Sequence, residues 1–240
     1  MNIIISPAKQ MRIVDDFYSE VQTKPRFQKE ANSLIKSLQK LSYQEYKTMM
    51  KCSDKIALPA YENIQNYDWN GQKSPAILSY NGIQYQYMAP EVFTDSQIEY
   101  VQNHLFILSG LYGILKPLDD IQPYRLEMQT KLNGSLYSFW KDKLANSLEE
   151  SILNLASEEY AKCIRKYKPL IDVRFCDEDN GKLKEKGVYA KMARGCMVSY
   201  MARNNVENIE ELYDFHELGY YFSKTHSTET LLTYIKRDSD

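Results

Sequence analysis

The chain opens with a short apolar run, Asn2–Ile5, closed by Ser6-Pro7, and brief apolar blocks of this kind recur along its length. Such blocks, bounded by turn residues, predict buried strands. Ala76–Tyr80, closed by the turn pair Asn81-Gly82, is read the same way, as are Leu105–Leu108 and Ile152–Leu155. Between them the spacing changes to that of helices. Phe27–Leu41 places Ala31, Leu34, Ile35, Leu38 and Leu41 on one face, and Ser42 with Glu45 forms an S-x-x-E box that starts a helix running toward Met50. Asp54–Asn66 is predicted helical with Pro59 near its first turns, and Thr94 or Asp95 caps a helix to His104. Leu136–Ser151, with Trp140, Leu144 and Leu148 on one side, and Val188–Asn204 predict two more. Leu170–Cys176 and Lys182–Lys186 flank "DEDNG" as a hairpin, and the closing "LGYYFSKTHSTETLLTYIK" reads as two strands around a polar loop.

Strands interleaved with helices, without a repeat or a linker, predict an α+β (mixed α/β) fold. The expectation is a single compact domain over residues 1–240, with a mixed β-sheet flanked by helices and a cleft at the C-terminal ends of the strands. The apolar runs fall far short of the ~18–20 residues a membrane helix needs, and "MNIIISPAK" lacks a basic leader, so a cytoplasmic location without membrane contact is expected. Net charge is −2, which gives no global electrostatic argument. Cys52, Cys163, Cys176 and Cys196 are scattered, and His104, His216 and His226 stand at no metal-ligand spacing. Neither a metal, a cofactor nor a disulfide framework is predicted.

Candidate chemistry gathers where apolar runs end in serine. Ser6, Ser79, Ser109 and Ser157 each close one. If these ends lie on one edge of a parallel sheet, their hydroxyls face one cleft, and a helix starting just after each strand would aim free N–H groups at an anion. Serine is also a common helix cap and turn former, so each junction has a purely structural reading. Basic residues stand close by: Lys9 after Ser6, Lys116 and Arg125 after Ser109, and Lys55 in "CSDK". Gly181–Asn205 carries Lys191 and Arg194, three apart and so on one helix face, within a run of six cations against the single acid Glu185. Gly195 costs a helix interior about 1 kcal/mol, which points to close approach by another backbone or by a ligand. Gly110 and Gly113 permit a tight exit from the strand before them, while Tyr112, Tyr124, Tyr160 and Tyr189 would stack a base if they lined the cleft. Asp54, Asp119, Asp120, Glu127, Glu158 and Glu159 are the candidate acids or bases. The common phosphate-loop, dinucleotide, nucleophile-elbow and zinc-protease motifs are absent.

The stretches "ISPAK", "SDKIA", "LSGLYGILKPLDDIQPYRLEM", "NLASEEY", "YAKMARG" and "GYYF" span the chain in order, and in them the sequence closely resembles the YaaA family of peroxide stress proteins. The resemblance implies a cytoplasmic bacterial protein that limits oxidative damage and free iron when hydrogen peroxide rises. It also implies DNA binding through a positively charged cleft. On this chain that cleft is expected from Ser6, Lys9, Lys55, Ser109, Gly110, Tyr112 and Gly113, together with Lys116, Arg125, Ser157, Tyr160, Lys191 and Arg194. A helix-hairpin-helix-like element is implied as well; "LSYQEYKTMMKCSDKIALPAYENI" is the nearest match, though its corner lacks a glycine. The partner implied is DNA, bound through its phosphates. An enzyme acting on a nucleotide, or on another nucleic-acid component, in the same cleft is the alternative.

Overall fold

The computed structural model describes residues 1–14, 23–149 and 151–237. Part of the polar stretch that the pattern leaves without an element after Ser6-Pro7, residues 15–22, falls outside the described residues. The centre is a mixed eight-stranded sheet. Its strands are β1 (Asn2–Ile5), β2 (Leu105–Ser109), β3 (Gly113–Leu115), β4 (Ile152–Leu155), β5 (Ile171–Asp179), β6 (Lys182–Lys184), β7 (Tyr220–Phe222) and β8 (Leu231–Lys236). They run in the order β7-β8-β5-β4-β1-β2-β3, with β6 paired to β5 as a hairpin arm. Strands β8, β5, β4, β1 and β2 are mutually parallel, and the edges β7 and β3 are antiparallel. All residues of β1, β2 and β4 are buried, which is why they read as unbroken apolar runs rather than alternating ones.

Helices cover this sheet: α1 (Gln28–Gln39), α2 (Tyr43–Met50), α3 (Asp54–Gln65), α4 (Ile83–Met88), α5 (Asp95–His104), α6 (Glu158–Arg165) and α7 (Gly187–Asn204). The starts follow local chemistry. Ser42 with Glu45, and Thr94 with Gln97, form complete capping boxes. Helix α7 buries Ala190, Ala193, Cys196, Met197, Val198 and Met201, while its first turn, with Val188 and Tyr189, stands exposed. It packs on α4, α5 and β5, whereas α1 and α2 pack on α3.

Two predicted elements differ. Ala76–Ser79 is a helical turn rather than a strand, because Ser79 Oγ bonds back to Pro75 O at 2.9 Å; only Tyr80–Asn81 extends, pairing with Gln10–Met11. A short buried apolar run fits either state, and periodicity cannot separate them. Leu136–Ser151 is helical only over Leu136–Trp140. Lys141 takes a positive φ of 48°, which ends the helix, and Trp140 is anchored by its indole N–H to Gly110 O at 3.1 Å.

A very close approach of two backbones lies between α7 and α4. A Cβ at Gly195 would stand 2.2 Å from Gln84 O and 2.9 Å from Met88 N, so backbone, not ligand, explains this glycine. Gly195→Ala is therefore expected to destabilise the protein by about 1–3 kcal/mol or more through overpacking. Thermal unfolding should register this as a drop of several degrees, at roughly 2–4 °C per kcal/mol for this size. An unchanged Tm would show that α4 can withdraw without cost.

Candidate functional site

The chain leaves β1 for β2 on one side, then returns past β1 to β4 on the other side and continues outward to β5 and β8. Connections from β1 and β4 thus run in opposite directions. Open α/β sheets bind ligands in the crevice beyond the carboxyl ends of such a strand pair. Here the two ends are joined by their serines. Ser6 Oγ donates to Ser157 Oγ at 3.1 Å and accepts the Ser157 N–H at 2.8 Å. Helix α4 spans both ends: Tyr85 OH donates to Ser6 O at 2.9 Å, and the Gln84 amide to Leu155 O at 3.3 Å. Through Gly195, α7 then sets Lys191 and Arg194 over the same place.

The result is a cavity of about 580 Å³. Its cations are Lys9, Arg125, Lys191 and Arg194, its carboxylates Glu127 and Glu159. Glu127 is buried between Arg125 at 2.8 Å and Lys9 at 3.5 Å, and Arg194 meets Glu185 at 2.8 Å. Burial works against the Arg194 guanidinium, offset by Glu185 and Asp172. The Nε atoms of Arg125 and Arg194 are buried without any hydrogen-bond partner. Burial also pushes the Glu159 carboxyl up, against the backbone N–H of Gln129, which lowers it. Tyr85, Tyr124 and Tyr160 wall the cavity, and burial raises Tyr124 to about 12, leaving its phenol a neutral donor.

A second cavity of about 780 Å³ shares Lys9, Arg125 and Glu127 with the first, so the two adjoin. It leads to the end of α2, adding Lys51 and Lys131 against Glu45. The corner between α2 and α3 has Lys51 in the left-handed conformation (φ 48°) where a hairpin would ordinarily use glycine, and Lys47 holds Asp54 across it at 2.7 Å. Among the described residues no group of three or more histidines, cysteines, aspartates or glutamates is placed to hold a metal ion, and no helix is long and apolar enough to cross a membrane.

Of the residues predicted from sequence, Ser6, Lys9, Arg125, Ser157, Tyr160, Lys191 and Arg194 line the first cavity. The others stand elsewhere. Ser109 is fully buried, accepting the Tyr112 N–H at 2.9 Å and bonded to Tyr124 OH at 2.6 Å. Gly110 is pressed against Leu126 O, Tyr112 is a core residue bonded to Tyr67, and Gly113 abuts Trp140. The antiparallel return of β3 carries Lys116 away from the strand ends, where its ammonium bonds Gln102 O and Asn103 O over the Phe106 ring. Lys55 is exposed on α3, outside both cavities. Of the four serines only Ser157 is followed at once by a helix, and Glu158 and Glu159 already occupy that first turn, so the dipole end is answered by the chain's own carboxylates. Gln10, Asn81, Gln84, Tyr85 and Gln86 are lining residues that sequence reasoning missed; the Asn81-Gly82 pair was the one available signal, and it reads as an ordinary turn.

Comparison with known proteins follows the same boundaries. The model of the family described as peroxide stress protein YaaA matches residues 1–226. The UPF0246 protein of Lachnoclostridium phytofermentans is 46% identical over 100% of this chain and 98% of its own length. Those of Agathobacter rectalis and Desulfitobacterium hafniense are 45% and 44% identical, covering 99% and 98% of this chain and 99% and 98% of their own lengths. With a family model over nearly all of its length and full-length relatives at this identity, the chain belongs to the YaaA family of peroxide stress proteins.

Proposed function

We propose that the chain serves the peroxide stress response by binding DNA through phosphate contacts along the cleft. The observation that carries this reading is the pair of buried guanidinium nitrogens, Arg125 Nε and Arg194 Nε, that no protein group meets. A buried donor left unpaired costs about 1–3 kcal/mol, more beside a charge, and an anion that draws the side chain outward to meet it recovers that cost. Across both cavities the cations Lys9, Lys51, Arg125, Lys131, Lys191 and Arg194 face Glu45, Glu127 and Glu159, a local positive excess in a chain whose net charge is −2. Phosphate neutralisation by such a row releases counterions, so affinity falls steeply with salt. Lys9→Ala, Lys191→Ala and Arg194→Ala are each expected to weaken binding to mixed-sequence DNA and to reduce the slope of log K against log salt by about 1. Lys55→Ala should change neither. Fluorescence anisotropy over a salt series reads both quantities, and binding indifferent to salt and to all three cleft substitutions would sink the proposal. Ser109→Ala separates fold from function: it strands the buried Tyr112 N–H and should cost about 1–3 kcal/mol in stability while leaving DNA affinity intact. Lost affinity in a folded Ser109→Ala protein would return Ser109 to the site.

The raised Glu159 carboxyl favours a second reading, an enzyme acting on a nucleotide, because a carboxyl in the cavity wall whose hold on its proton is strengthened by burial is a candidate proton donor. Its folded-state affinity for protons exceeds the unfolded one, so its cost to the fold is absent at acid pH and is felt as pH rises through the raised value. Glu159→Gln, which keeps an acceptor for the Gln129 N–H, should raise Tm at pH 8 and leave it unchanged at pH 4. A Tm that rises equally at both pH values would remove Glu159 as a titrating group.

A further inference from the structure

Resting on the DNA reading, the geometry of the first cavity goes further: we infer that it receives a single nucleotide turned out of a bound strand, whose base is read by side-chain amides of the α4 segment. The cavity is about 580 Å³, the size of sites that enclose small ligands and much too narrow for a duplex. Phosphate-binding side chains can hold a strand, but they do not explain the rest of the lining. That remainder carries neutral polar groups, graded from buried Gln84 through half-buried Asn81 to exposed Gln86. Gln86 donates its amide to Asn81 Oδ1 at 3.3 Å, which leaves the Asn81 NH₂ as donor and the Gln86 carbonyl as acceptor without a protein partner among the described residues. Gln84 spends its N–H on Leu155 O, and its own carbonyl oxygen likewise receives no hydrogen bond there.

A neighbouring donor and acceptor on amides match the edge of a nucleobase, which pairs with Asn and Gln in a bidentate manner. Tyr85, Tyr124 and Tyr160 supply the aromatic wall that a base removed from its stack requires. Two rings of the wall and the backbone that carries the amides are held in the free protein. Tyr85 is fixed to Ser6 O, Tyr124 to Tyr80 and Ser109, and the α4 backbone to Gly195. Exposed Lys9 and Lys191, the amides of the α4 segment and the tyrosine rings therefore offer one nucleotide both phosphate contacts and base contacts.

A short single-stranded oligonucleotide carrying one 2-aminopurine, dark when stacked and bright when unstacked, tests this directly. Binding should brighten the probe. Replacing the probe with an abasic site should weaken binding about tenfold, and adenosine monophosphate should reverse the brightening by taking the same cavity. Asn81→Leu and Gln86→Leu, which remove the amides, should abolish the brightening while the salt slope keeps its wild-type value. A probe that stays dark on protein-bound DNA, or an abasic strand bound as tightly as the intact one, would overturn the inference and leave the phosphate-binding cleft standing. Absence of DNA binding altogether is a different outcome: it removes the cleft proposal and this inference with it.

Discussion

Gln84 O and a Cβ on residue 195 would lie 2.2 Å apart, so α7 and α4 meet as closely as they do only because residue 195 is glycine. The site depends on this contact. Helix α4 is tied by Tyr85 to the end of β1 and by Gln84 to the end of β4, and α7 brings Lys191 and Arg194 over that junction. Sheet order alone opens a crevice between β1 and β4. The glycine contact turns the crevice into a walled cavity lined with charge.

The charges are organised to remain available. Arg125 and Arg194 each have an acidic partner, Glu127 and Glu185, that engages one terminal nitrogen and leaves Nε unpaired. Breaking a buried pair leaves an uncompensated charge, so these carboxylates fix the guanidinium groups in place through one terminal nitrogen each. Behind them, Arg165 holds Asp172 through two contacts of 2.8 and 2.9 Å, Asp172 accepts from Asn154, and Asn154 accepts the Ala156 N–H. The turn after β4 that carries Ser157 is thereby held on its sheet side. Precision in the first layer comes from such support in the second.

Much of this was legible in the sequence, and the failures have physical reasons. The buried strands β1, β2 and β4 announce themselves because parallel strands covered on both faces keep few polar residues, and Ser42 and Thr94 mark their helices through complete capping boxes. Ser6 and Ser157 were found because both lie at parallel strand ends flanking β1 and β4. Ser109 carried the same local signature but sits where β2 turns back into antiparallel β3, so its hydroxyl is used internally and Lys116 is carried to the far end. Hydropathy does not encode strand direction. Asn81, Gln84 and Gln86 were missed because their place over the strand ends is set by the packing of α4 under α7, between residues about a hundred positions apart. Gly195 itself was readable as a close approach; its partner was not.

The central claim, that chain segments from Ser6 to Arg194 converge on one anion site at the β1–β4 junction, is tested most directly by a crystal structure with a short phosphorothioate oligonucleotide, whose sulfurs mark the backbone by anomalous scattering. The account predicts a phosphate within hydrogen-bonding distance of Arg125 Nε or Arg194 Nε, with the strand continuing past Lys9 toward Lys51. Phosphates found only on other surfaces, with both guanidinium nitrogens still unpaired, would contradict it.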